Sequence, residues 1–77
     1  MNKVKFSGKV IEVTKLDSAV IYTLKATDGT IIDAVDVVDC IPFFVVGEYM
    51  KVLGSIGNYD SGTPCIKIFE MEGAEEG

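Results

Sequence analysis

The residues best suited to chemistry in this chain are one loop tyrosine, a set of lysines and a row of aspartates. Tyr59 stands in the polar stretch Gly57-Asn58-Tyr59-Asp60-Ser61-Gly62-Thr63-Pro64. The glycines on either side let the backbone adapt around a ligand, so its ring is either a stacking platform or an ordinary exposed loop tyrosine. Lys3, Lys5, Lys9, Lys15 and Lys25 all fall in the first third of the chain. On adjacent strands they would pool into a basic patch whose grip on phosphate weakens with salt. Strand alternation would also place them outward as solvated charges.

Other constellations are poorer. Asp28, Asp33, Asp36 and Asp39 do not have the spacing of a calcium loop, and on a strand Asp33 and Asp36 point to opposite faces. Cys40 and Cys65 form no CxxC pair and no histidine accompanies them, whereas zinc wants about four Cys or His ligands. Both read as buried apolar thiols, since a bridge between them would need an oxidising compartment. Without histidine, and with no telling carboxylate pair, no catalytic site is expected. No metal or cofactor is expected either.

Charge restricts the partners. Twelve acidic residues face seven lysines, the formal charge is −5, and arginine and tryptophan are absent. Such a chain repels phosphate at long range and lacks the forked guanidinium contact, so nucleic-acid binding would rest on a local patch. At 77 residues it suits one small domain with a dense core, consistent with its 48% hydrophobic content. It has no apolar run long enough for a membrane helix and no charged leader before an apolar stretch. A soluble, intracellular location is expected, in cytoplasm, nucleoid or nucleus.

Five β-type runs must position these side chains. In the first, residues 3–16, Val4 and Phe6 face one way and Lys3, Lys5, Ser7 and Lys9 the other. Gly8 and the Val10-Ile11 pair interrupt it, as a bulge or bend would. In the second, residues 19–26, Val20, Tyr22, Leu24 and Ala26 share a face opposite Ile21, Thr23 and Lys25. Thr27-Asp28-Gly29-Thr30 is a hairpin turn with positive φ expected at its glycine. The third run, residues 31–40, also fits a helical period, but its isoleucines and valines favour a strand. On a strand Asp36 falls inward, which calls for a bulge or lends weight to a helix.

Asp39 and Pro42 suit a single helical turn after the third run. The apolar residues Ile41, Phe43, Phe44, Val45 and Val46 then either plug the end of a barrel or form an exposed docking patch. The fourth run, residues 49–56, puts Met50, Val52 and Ile56 inward with a bend at Gly54; the fifth covers residues 65–71. One domain over residues 1–72 is expected, with a frayed acidic tail that begins around Glu72 and covers residues 73–77.

Phe6-Ser7-Gly8-Lys9-Val10, Ile21-Tyr22-Thr23-Leu24-Lys25-Ala26, Gly47-Glu48-Tyr49-Met50-Lys51-Val52-Leu53-Gly54 and the loop tyrosine after Ile56 together resemble the OB domains of the replication protein A family. The resemblance is nearest to that family's middle and small subunits and covers nearly the whole chain. It implies an all-β, five-stranded Greek-key barrel. It also implies that single-stranded DNA lies across strands two and three, on a floor of Ile21, Thr23, Lys25, Asp33, Val35 and Val37. Lys15 would stand on one wall, and Asn58 and Tyr59 on the other. Lys9 would join Lys15 and Lys25 in neutralising phosphate.

Two residues depart from the family's pattern. Val37 stands where a second aromatic is expected, and Asp33 puts a carboxylate on the floor. The helix that follows the barrel in that family has no counterpart before residue 77. The leading expectation is a replication- or repair-type module for single-stranded DNA, with RNA as another ligand. The alternative is a structural OB subunit that docks a protein, or a second copy of itself, through Ile41, Phe43, Phe44 and Val45.

Overall fold

Alternation in the first run gives the barrel its longest strand. β1 spans Lys3–Lys15, with Gly8 and Val10 buried, Val4 and Phe6 half-buried, and the lysines exposed. It serves two partners, pairing through residues 3–9 with β4 (Tyr49–Asn58) and through residues 9–15 with β2 (Val20–Lys25). Gly8 lies where the two ladders meet: a Cβ there would come within 2.9 Å of the Lys25 backbone. Ile11 is the extra residue of a bulge between Val10 and Glu12. At that bulge the backbone of Val10 bonds the incoming segment, donating to Glu48 O and accepting from Gly47 N, both at 2.8 Å.

The computed structural model describes residues 3–59 and 61–75. β3 (Ile31–Asp36) follows β2 through the expected hairpin, where Gly29 has φ of 93°. The Thr30 N–H donates to Asp28 Oδ1 at 2.9 Å, which holds the Asp28 carboxyl below its usual range. β5 spans Pro64–Gly73, pairs antiparallel with β4 and meets β3 in parallel at Asp33, Ala34 and Val35. The result is a closed barrel in the order β1-β2-β3-β5-β4. Its core is Val10, Val20, Tyr22, Leu24, Ala34, Met50, Val52 and Ile66. Closure removes exposed sheet edges, and the inward residues of every strand meet in one apolar centre.

Several expectations change. The third strand ends at Asp36 rather than Cys40, because Val38 N–H folds back onto Asp36 O at 3.0 Å and takes the chain off the ladder. Val37 therefore leaves the sheet. Asp36 needs neither bulge nor helix: the β2–β3 ladder is regular, and Asp36 is its half-buried last residue. No helical turn forms around Asp39 and Pro42; residues 37–48 are irregular, with a few bends and one turn. The Phe43 N–H, which a helix would bond to its own chain, instead donates to the Tyr22 hydroxyl at 3.1 Å.

β4 continues to Asn58, and Ile56, at 43% exposure, is no core residue although it pairs with Ile66. β5 continues through Glu72 and Gly73, where Glu72 pairs with Lys51 at 3.5 Å and Ala74 N–H donates to Tyr49 O at 2.9 Å. Glu72 is thus part of the barrel; the tail residues 76–77 lie outside those described. Cys65 is buried as expected, but Cys40 is only half-buried, and both are free thiols.

Candidate functional site

The outer face of β2 and β3 is built from cross-strand pairs. Ile21 lies opposite Val35, Thr23 opposite Asp33 and Lys25 opposite Ile31. On the β1 side Thr14, Glu12 and Lys9 continue these three rows. On the β5 side Lys67 extends the first, opposite Val35. The face therefore has an apolar row, a polar middle row with two carboxylates, and lysines at opposite ends. Lys9 and Lys25 are direct neighbours, and two like charges so placed form a local positive spot in an acidic protein.

Asp33 is the centre of this face. Thr23 donates its hydroxyl to Asp33 Oδ1 at 2.7 Å, and Tyr59 donates its hydroxyl to Asp33 Oδ2 at 3.3 Å. The loop that carries Tyr59 is itself closed: Tyr59 N–H donates to Thr63 O at 2.9 Å, and Gly62, with φ of 87°, donates to Tyr59 O at 2.8 Å. Desolvation, then the Asp33 charge and the Cys65 thiol, push the Tyr59 phenol up to about 12, so its proton stays in place at neutral pH. Cys65 pairs with Asp33 on one side and Gly57 on the other, which puts it on the same outer face although it is buried.

No family model matches the chain, and no curated protein does. Solved structures match it closely in shape. A chain of a replication protein A heterotrimer bound to ssDNA superposes with a TM-score of 0.82 at 17% identity, over 99% of this chain and 60% of that one. This chain has the OB fold. A chain of the S. pombe Stn1-ten1 complex gives the same TM-score at 13% identity, again over 99% of this chain and 60% of that one. Asparaginyl-tRNA synthetase from Pyrococcus horikoshii gives 0.77 at 15% identity, over 94% of this chain and 19% of the enzyme. The chain thus spans about 60% of the length of the first two.

On this OB barrel the sequence-derived residues separate into groups. Thr23, Lys25 and Val35 lie together on the floor, with Lys9 beside Lys25 and Tyr59 tied down through Asp33. Lys15, expected on one wall, stands at the end of β1 beside the β1–β2 loop. It pairs with inward-facing Val20 at the strand end, and its ammonium donates to the carbonyls of Leu16 and Asp17 in its own loop. Asn58 alternates with Gly57 and Tyr59 along the chain, so it points to the other side of the ladder. Val37 stands beyond the end of β3, 74% exposed.

Lys67 was not anticipated. The outward alternation of Cys65-Ile66-Lys67-Ile68 was legible, but only the parallel β3–β5 contact brings it beside Val35. Its stem lies across Gly57, where an added Cβ would meet Lys67 Cε at 2.8 Å. Asp33 also has a role that the sequence reading missed, as the anchor of Tyr59 rather than a mere obstacle to phosphate. A concavity of about 510 Å3, bounded in part by Ser7, Gly8, Thr27 and Tyr49, is lined by none of the β2–β3 floor residues.

The apolar segment is divided. Phe44 plugs the barrel end, meeting Tyr22 edge to face with ring centroids 6.0 Å apart. Ile41, Phe43, Val45 and Val46 stay outside, 80%, 68%, 61% and 60% exposed. Glu48 Oε1 accepts from Val45 N–H at 2.9 Å and shapes the turn that holds them out.

Proposed function

We propose that this chain binds single-stranded nucleic acid, DNA foremost, across the outer face of β2 and β3, as a replication- or repair-type module. The observation that carries the reading is Tyr59, held at the edge of that face by Asp33, with an apolar pair and lysines within the same rows. One base stacks on the Tyr59 ring, a contact worth about 1–3 kcal/mol. Ile21 and Val35 take apolar contact from its neighbours. Lys9 and Lys25 at one end, and Lys67 at the other, neutralise phosphates. The similarity in fold to a replication protein A chain solved in a heterotrimer bound to ssDNA supports this choice.

The test is fluorescence anisotropy with a labelled mixed-sequence DNA of about twelve bases, at low and at physiological salt. Binding that falls steeply with salt and is lost in Tyr59→Ala is expected. No binding at tens of micromolar protein in low salt would overturn the reading.

A second reading is favoured by one observation, the exposure of Ile41, Phe43, Val45 and Val46. So much apolar surface on one short segment suits docking to a protein. Size-exclusion chromatography of wild type and Phe43→Ser distinguishes the cases. A larger species that Phe43→Ser dissolves supports self-association through this segment; identical monomeric elution removes it.

A further inference from the structure

The arrangement around Asp33 has a consequence for which base the face accepts. At neutral pH a carboxylate only accepts hydrogen bonds. Thr23 and Tyr59 both spend their single hydroxyl proton on it. The three groups therefore turn only acceptor lone pairs toward a ligand: the free lone pairs of Asp33 and the oxygens of the two hydroxyls. Among the described residues no lysine forms an ion pair with Asp33; the one ion pair is Lys51–Glu72. Asp33 and Thr23 are half-buried, so these acceptors work partly out of water, where an unmatched partner is costly.

Resting on the nucleic-acid reading above, we propose that Thr23, Asp33 and Tyr59 make this a base-selective surface that favours guanine and rejects thymine and uracil. Guanine carries two adjacent donors on its Watson–Crick edge, an N–H and an amino group, which match the two oxygens of a carboxylate. Cytosine and adenine offer one amino group beside a ring acceptor. Thymine and uracil offer one N–H between two carbonyl oxygens, and those oxygens meet the carboxylate with like partial charge. The preference is set by the lone pairs of Asp33. Tyr59 contributes the stacking face and a second acceptor, and the lysines contribute affinity without selectivity.

The experiment compares two labelled twelve-base DNAs, one all thymine and one with guanine at every third position, in a lithium buffer that suppresses guanine quadruplexes. Wild type is expected to bind the guanine-containing strand at least about fivefold more tightly, the lower bound for one good bidentate base contact. Asp33→Asn, which replaces one acceptor with a donor, is expected to bring the ratio to about 1. Tyr59→Phe keeps the ring, frees one Asp33 lone pair and is expected to keep the preference even where overall affinity drops. Equal binding of the two DNAs by wild type overturns the proposal while leaving the nucleic-acid reading standing. A preference that survives Asp33→Asn, or that Tyr59→Phe abolishes, overturns the assignment to Asp33. Failure of wild type to bind either strand or the mixed-sequence DNA overturns both readings together.

Discussion

The Tyr59 hydroxyl reaches 26 residues back along the chain to donate to Asp33 Oδ2, tying the β4–β5 loop to the middle of β3. This tie has a signature in alkali. Tyrosine is neutral when protonated, so a raised pKa means that the folded protein keeps a proton the unfolded chain gives up. The linked stability is full below pH 10.0 and drains as pH rises toward about 12. Ring-carbon NMR titration should place Tyr59 near the top of that window. In Asp33→Asn it should move part of the way down, because desolvation, the largest cause, remains. A wild-type Tyr59 that titrates like a free tyrosine would show that the tie is not formed in solution.

The two adjacent phenylalanines should behave oppositely. Phe44 packs on the Tyr22 ring and is half-buried, so Phe44→Ala is expected to cost about 2 kcal/mol, below the range for a fully buried ring. Phe43 is 68% exposed, and Phe43→Ala should stay within about 0.5 kcal/mol. Tyr22→Phe removes the acceptor for Phe43 N–H and should cost about 1 kcal/mol. Urea denaturation of the three variants decides the matter; equal costs for Phe43 and Phe44 would contradict the plug.

Gly54 is expected to tolerate nothing larger. A Cβ there would sit 2.0 Å from Lys67 O, a backbone atom that can move only by breaking the β4–β5 ladder. β5 already carries an extra residue, Phe69, between the pairs Leu53–Glu70 and Gly54–Ile68. Gly54→Ala should destabilise by about 3 kcal/mol or fail to fold. Gly29 has open space around it and only its φ of 93° to lose, so Gly29→Ala should cost about 1 kcal/mol. Comparable melting temperatures for the two variants would refute the ordering.

Lys67 should contribute to the salt dependence of nucleic-acid binding, and Lys5 should not. Lys67 lies beside Val35 on the β2–β3 face, whereas Lys5 lies opposite Leu53 on the β1–β4 side. Lys67→Gln is expected to flatten the log–log salt slope by about 0.7, one phosphate contact on a single strand. Lys5→Gln is expected to leave it unchanged. A slope that responds to Lys5 and not to Lys67 would move the ligand to the other side of the barrel.

The sequence by itself determined the five strands in outline and the inner face of β2. Alternation of Val20, Tyr22 and Leu24 against Ile21, Thr23 and Lys25 is a local pattern, and it marks the burial of β2 because side chains alternate with period two. Gly29 and the Val10-Ile11 interruption were legible for the same local reason, and both carry the turn and the bulge expected of them. Tertiary structure alone decided where each strand stopped and what stood beside what. The extra length of β5, the exposure of Ile56 and the early end of β3 follow from which neighbours remain available for hydrogen bonding. Likewise, Asp33 meets Tyr59 and Lys67 meets Val35 only because the barrel closes through the parallel β3–β5 contact, between segments far apart in the chain. Local periodicity holds no information on such a pairing; it exists only when loop closure brings the two strands into one sheet.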